Sequence, residues 1–99
     1  MNMQSLMAQA QKLKKDIEKK QSEIDNKEFT EQNEFVSLKM TGKREIKEFK
    51  IKKELINDSD DVEVLEEMTT IAFKNILKQI DDEIESKLGM YGSGLGGIM

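Results

Sequence analysis

Apolar residues recur along the first quarter of this chain at steps of three and four: Met3, Leu6, Ala10, Leu13, Ile17 and, past the polar Lys20, Ile24. That spacing predicts an amphipathic helix over residues 1–26, with a stripe as narrow as a coiled-coil seam. Lys, Gln and Glu fill the other positions, and no Gly or Pro interrupts them. Lys14/Glu18, Asp16/Lys20 and Lys19/Glu23 add i,i+4 support, and Asn26 is the expected C-terminal cap. A lone helix cannot bury such a seam in a chain of 99 residues, so an obligate assembly is expected.

The period then changes from about 3.6 to two. Over residues 28–52, Val36, Leu38 and Met40 alternate with Ser37, Lys39 and Thr41, as in a half-buried strand. Thr41-Gly42-Lys43 reads as a tight connection, with Gly42 expected to supply a positive φ. Phe49 and Ile51 share a face, and Ile46 joins them only through a bulge near Lys47-Glu48. Phe29 to Glu31 is a weaker first strand. Two or three antiparallel strands are marginal alone and must pack against helices or a second sheet.

Residues 54–59 form a polar turn. Asp60 followed by Glu63 resembles a capping box and predicts a second helix over 60–88. Its stripe runs through Val62, Leu65, Met68, Ile71, Ala72, Ile76, Ile80, Ile84 and Leu88. Phe73 and Leu77 widen the middle, which is expected over the sheet. Gly89 is expected to stop the helix, and residues 89–99 read as a flexible glycine-rich tail. One α+β domain over 1–99 follows.

Charge changes what this architecture can do. The net charge is −4, but residues 1–53 carry 13 Lys/Arg against 9 Asp/Glu, while residues 54–88 carry 3 against 11. The basic half is thus separate from the acidic half. There is no histidine and no cysteine, which removes the usual nucleophile–base pairs and the nitrogen and sulfur ligands of zinc. No EF-hand-like loop organises the carboxylates, so neither metal nor cofactor is expected. No secretory signal pattern opens the chain, and no apolar run approaches the ~20 residues of a membrane span. A non-catalytic cytoplasmic protein is expected.

Four strings in order resemble the YbaB/EbfC family of bacterial nucleoid-associated proteins. They are MAQAQKLKKDIEKKQSEI from Met7 to Ile24, FVSLKMTGKREIKEFKI from Phe35 to Ile51, VLEEMTTIAFKNILKQ from Val64 to Gln79, and the closing GSGLGGIM. The chain departs from the family pattern at Glu31-Gln32-Asn33, where glycines are common, and at Arg44, where a second hairpin glycine is common. The resemblance implies a tweezer-shaped homodimer with a shared sheet centre, projecting helical arms, and DNA binding without strong sequence demands.

Lys12, Lys15 and Lys19 lie on one helix face, flanked by Lys14 and Lys20, and such a row suits successive phosphates. A solvated face with interleaved acids is the competing reading. Lys43 and Arg44 at the hairpin tip and Lys87 near the end of the second helix complete the candidate DNA contacts. Lys50 to Lys53 fit the defence of a strand edge better. Acids at Asp81, Asp82, Glu83 and Glu85 would repel DNA from part of an arm. Leu6, Leu13, Ile17, Val36, Leu38, Met40, Phe49, Ile51 and Phe73 are the expected core or dimer residues. The expected partners are duplex DNA and a second copy of the chain, without membrane or small-molecule substrate. The rival reading is a prefoldin-like scaffold or holdase that grips unfolded chains with apolar arm tips.

Overall fold

A computed structural model describes residues 2–91. Helix α1 (Met3–Asn26) leads into strands β1 (Glu28–Gln32), β2 (Val36–Thr41) and β3 (Ile46–Ile51), and helix α2 (Ser59–Leu88) follows. The strands form one antiparallel sheet in the order β1-β2-β3. The molecule measures 72 × 21 × 15 Å. This is the expected α+β arrangement of two long helices around a small sheet.

Local chemistry explains the boundaries, and in three places it differs from expectation. At the start of α1 the Asn2 side chain accepts the Ser5 N–H at 2.8 Å. Its end is capped by Lys27, whose N–H donates to the Ile24 carbonyl at 3.1 Å, and not by Asn26. Helix α2 is capped by Asp58, with Asp61 closing the box, rather than by Asp60 and Glu63. Asp58 wins because its Oδ1 accepts the N–H groups of Asp60 and Asp61, while Asp61 Oδ2 accepts the N–H of Asp58. At the hairpin, the positive φ belongs to Arg44 at 68°, not to Gly42.

Gly42 is needed for another reason. A Cβ there would lie 1.9 Å from the Ile24 carbonyl oxygen and 2.6 Å from its carbon. The hairpin backbone therefore rests directly on the last turn of α1, and the Gly42 N–H donates to the Lys27 carbonyl at 3.1 Å. The expected bulge is present: Lys39 pairs with Glu48 and Met40 with Ile46, leaving Lys47 as the extra residue.

The core lies between β1, β2 and α2. Phe29, Leu38, Met40, Ile76 and Ile80 form its buried cluster, with Phe73, Leu77 and Ile84 packed around it. Val36, Ala72 and Leu88 are also buried. Ile24 anchors α1 beside the hairpin, and α1 runs antiparallel to α2, with Lys27 level with Glu83 and Lys20 level with Tyr91. Gln79 ties α2 to β1 through the Thr30 carbonyl, and Asn33 ties the β1–β2 turn to the Met68 carbonyl.

Among the described residues, apolar surface stays open on β3, on the first half of α2, where Val62 and Ile71 are exposed, and on α1. Strand β3 lies at the sheet edge beyond α2, touching it through Phe49 and Phe73, whose rings are 6.0 Å apart. Ile46 and Phe49 consequently remain 55% and 39% exposed, although both point to the helix-covered side of the sheet. Leu6 and Leu13 are 43% and 48% exposed, so they are not in the core of this chain. The first half of α1 extends past the described end of α2 as a bare arm, about 20 Å long at the α-helical rise.

Candidate nucleic-acid interface

Helix α1 carries the basic row, with Lys12 on the arm and Lys15 and Lys19 toward its base. At about 100° per residue, Lys12, Lys15 and Lys19 lie roughly 160° around the helix from the mean direction of Leu6, Ala10, Leu13 and Ile17. The row therefore occupies the back of the apolar stripe, where covering the stripe would not hide it. All three lysines are exposed, and among the described residues none is in an ion pair. Asp16 and Glu18 flank the row without entering it. Lys14 lies beside the stripe and approaches Glu18 at 4.0 Å, an exposed pair of little energetic weight.

The other candidate cations are placed differently. Lys20 is half-buried and donates to the Tyr91 hydroxyl at 2.9 Å, with its ammonium 5.0 Å from the ring centroid. Tyr91 thus packs against α1 instead of projecting from a loose tail, whose remaining residues from Gly92 onward lie outside the described residues. Arg44 pairs with Asp81 at 2.9 Å, and Lys87 pairs with Glu83 at 3.4 Å. Lys43 is exposed at the hairpin tip. The sequence reading missed Ile24 as the anchor of the arm and Tyr91 as its clasp. Lys20 in a seam position was the available sign that a polar partner must meet it there.

Long-range pairing also changes the acidic end of α2. Asp81 is met by Arg44 and Asp82 by Lys78 at 3.0 Å. Glu83 accepts from Lys27 at 2.9 Å and is also approached by Lys87. The hydrogen-bonded Lys27 ammonium holds the Glu83 carboxyl below its ordinary 4.5, against partial burial that pushes the other way, and Lys87 assists. Three of the four acids expected to repel DNA are therefore paired, while Glu85 stays exposed and without an ion pair among the described residues. Among the described residues a further group of acids without ion pairs lies at the start of α2, in Asp60, Glu63, Glu66 and Glu67.

A groove of about 510 Å³ between β1 and α2 is lined by residues that include Lys27, Phe29, Thr30, Gln79 and Glu83. Its central charges, Lys27 and Glu83, already satisfy one another. Among the described residues no carboxylates cluster as a metal site, and no helix is long and apolar enough to cross a membrane.

Residues 1–95 match the model of the YbaB/EbfC DNA-binding family. The chain belongs to that family. A nucleoid-associated protein of Ruminiclostridium cellulolyticum is 40% identical over 99 residues, covering 98% of this chain and 85% of that protein. One from Streptococcus sanguinis is 40% identical over 97 residues, covering 96% and 97%. Another, from Clostridium acetobutylicum, is 42% identical over 96 residues, covering 95% and 85%. The expectation of a protein without catalytic activity accords with this YbaB/EbfC membership, since the family is a DNA-binding one.

Proposed function

We propose that this YbaB/EbfC protein is a homodimer that holds duplex DNA by its backbone phosphates and helps to organise the nucleoid or to influence gene expression. The observation that carries the reading is the basic face of α1: three exposed lysines, unpaired among the described residues, opposite an apolar stripe on a projecting arm. Phosphate contacts of this kind position a protein without reading base edges, so sequence demands are low. The three relatives named above are nucleoid-associated proteins, which supports the same reading and a place in the bacterial cytoplasm and nucleoid.

Dimer formation follows from the two uncovered halves of the central body. Ile46 and Phe49 lie open on β3, and Val62 and Ile71 lie open on the first half of α2. The strand and its exit carry Lys47, Lys50, Lys52 and Lys53 against Glu48 and Glu54, a net basic surface, whereas the helix start carries Asp60, Glu63, Glu66 and Glu67. Apolar surface and charge are both complementary between them. Two copies related by a two-fold axis place each α2 start over the other's β3, bury both patches, and leave the α1 arms outside. Acids at the centre then repel DNA and direct it to the arms.

Titration of a short duplex at two salt concentrations, with the mass in solution measured beside it, tests the reading. A dimer that binds more weakly as salt rises is expected. A stable folded monomer at micromolar concentration, or affinity indifferent to salt, would overturn it. The exposed arm stripe is the one observation favouring a holdase. Suppression of client aggregation without duplex binding would decide for that alternative.

A further inference from the structure

The dimer described above leaves the apolar stripe of the α1 arm unused. Met3, Leu6, Met7 and Leu13 are all exposed on the arm, and no described part of the chain covers them. We propose that this stripe pairs antiparallel with the same stripe of another dimer, so that DNA-bound dimers bridge two duplex segments. The inference rests on the homodimeric, DNA-binding reading of the preceding subsection.

Three observations choose the occupant. First, the stripe has the three-four spacing of a two-helix seam, narrower than the face a helix lays on a sheet, so its partner is a helix with a similar seam. Among the described elements, the arm of α1 is the helix that still offers one. Second, the arm projects from a body of helix and sheet. A parallel pairing brings the two bodies into the same space, whereas an antiparallel pairing sets them at opposite ends. Third, charge permits it. In an antiparallel overlap, Met3 meets Leu13, Leu6 meets Ala10, and Met7 meets its own copy. The flanking positions are Gln9, Asn2 and Asp16, with no like charges opposed. Lys12, Lys15 and Lys19 point away from the seam on both helices, free for phosphate.

The overlap involves only the exposed first half of α1, far less than the ~800 Å² per partner of a stable interface. The pairing is accordingly weak between free dimers. It forms when DNA holds many arms close together, because a high effective concentration replaces affinity. The predicted behaviour is a dimer in free solution and cooperative bridging on DNA.

The test uses the full chain and its Leu6→Gln/Leu13→Gln variant. Three measurements are made: mass in solution, affinity for a short duplex, and capture of a free labelled duplex by a bead-bound one. The wild type should capture the second duplex, and the variant should lose that capture at least tenfold while keeping dimer mass and short-duplex affinity within about twofold. A Met7→Cys variant, in a chain with no other cysteine, should form a disulfide between dimers when long DNA is added in the presence of a mild thiol oxidant such as diamide, which takes up the two electrons and two protons. Equal capture by wild type and variant, or short-duplex binding by the wild type without capture, overturns bridging. Absence of short-duplex binding by the wild type sinks instead the DNA reading beneath it. Should the glutamines unfold the arm, the Met7→Cys cross-link decides: its absence on long DNA overturns the proposal.

Discussion

Replacing Lys12, Lys15 and Lys19 with glutamine removes the basic face of the arm and little else. Glutamine is nearly as good a helix former as lysine, and the three ammonium groups are exposed without a described ion-pair partner, so fold and dimer mass should persist. The magnitude follows from the geometry. Three lysines on each of two arms can neutralise about six phosphates, and at a slope of about −0.9 per contact they contribute about −5 to the dependence of log affinity on log salt. Between 50 and 200 mM salt those contacts account for a loss of about 10³-fold in affinity, which the variant should no longer show. Fluorescence anisotropy of a labelled duplex at several salt concentrations measures the slope, with circular dichroism and sedimentation as controls. A variant slope within about one unit of the wild type, at unchanged mass and helicity, would show that the row does not meet phosphate.

Other outcomes probe the scaffold that aims the arm. Gly42→Ala places a methyl 1.9 Å from the Ile24 carbonyl oxygen, and because that obstacle is backbone, the cost should reach the top of the ~1–3 kcal/mol range for overpacked sites. A thermal melt unchanged from wild type would contradict the close approach. Arg44 at φ 68° bears left-handed strain, while its exposed pair with Asp81 returns only ~0–1 kcal/mol. Arg44→Gly should therefore melt at or above the wild type and Arg44→Ala below both, and the reverse order would refute the strain. Glu83 has a lowered folded pKa, so its contribution is present above its unfolded value near 4.5 and is lost as pH falls through the folded value. Urea denaturation from pH 7 downward should show Glu83→Gln losing less stability than wild type in that acidic window, and parallel curves would dismiss the Lys27–Glu83 staple.

Much of the fold was legible because local rules were strong. The three-four spacing from Met3 to Ile24 and the alternation from Val36 to Met40 each admit one regular structure. The bulge near Lys47 followed from Ile46 being out of phase with Phe49. The misreadings lie where several residues could satisfy the same rule. Asp58 and Asp60 are both acceptable caps, and only the reciprocal bond from Asp61 separates them. Gly42 and Arg44 share a turn, and glycine was the natural choice for positive φ, yet a backbone contact with Ile24 claims it first.

The basic row and the stripe behind it are properties of helical periodicity, and the sequence alone determined both. Which cations stay available was decided by the tertiary structure. Lys20, Arg44 and Lys87 resemble Lys12 and Lys15 in composition, but the fold brings Tyr91, Asp81 and Glu83 to them. Asp81, Asp82 and Glu83 changed meaning in the same way, from part of a repulsive patch to acids paired from α1, the hairpin and their own helix, with Glu85 left unpaired among the described residues. The physical reason is the range of the interactions: periodicity acts over one or two turns, whereas an ion pair depends on where distant segments come to rest.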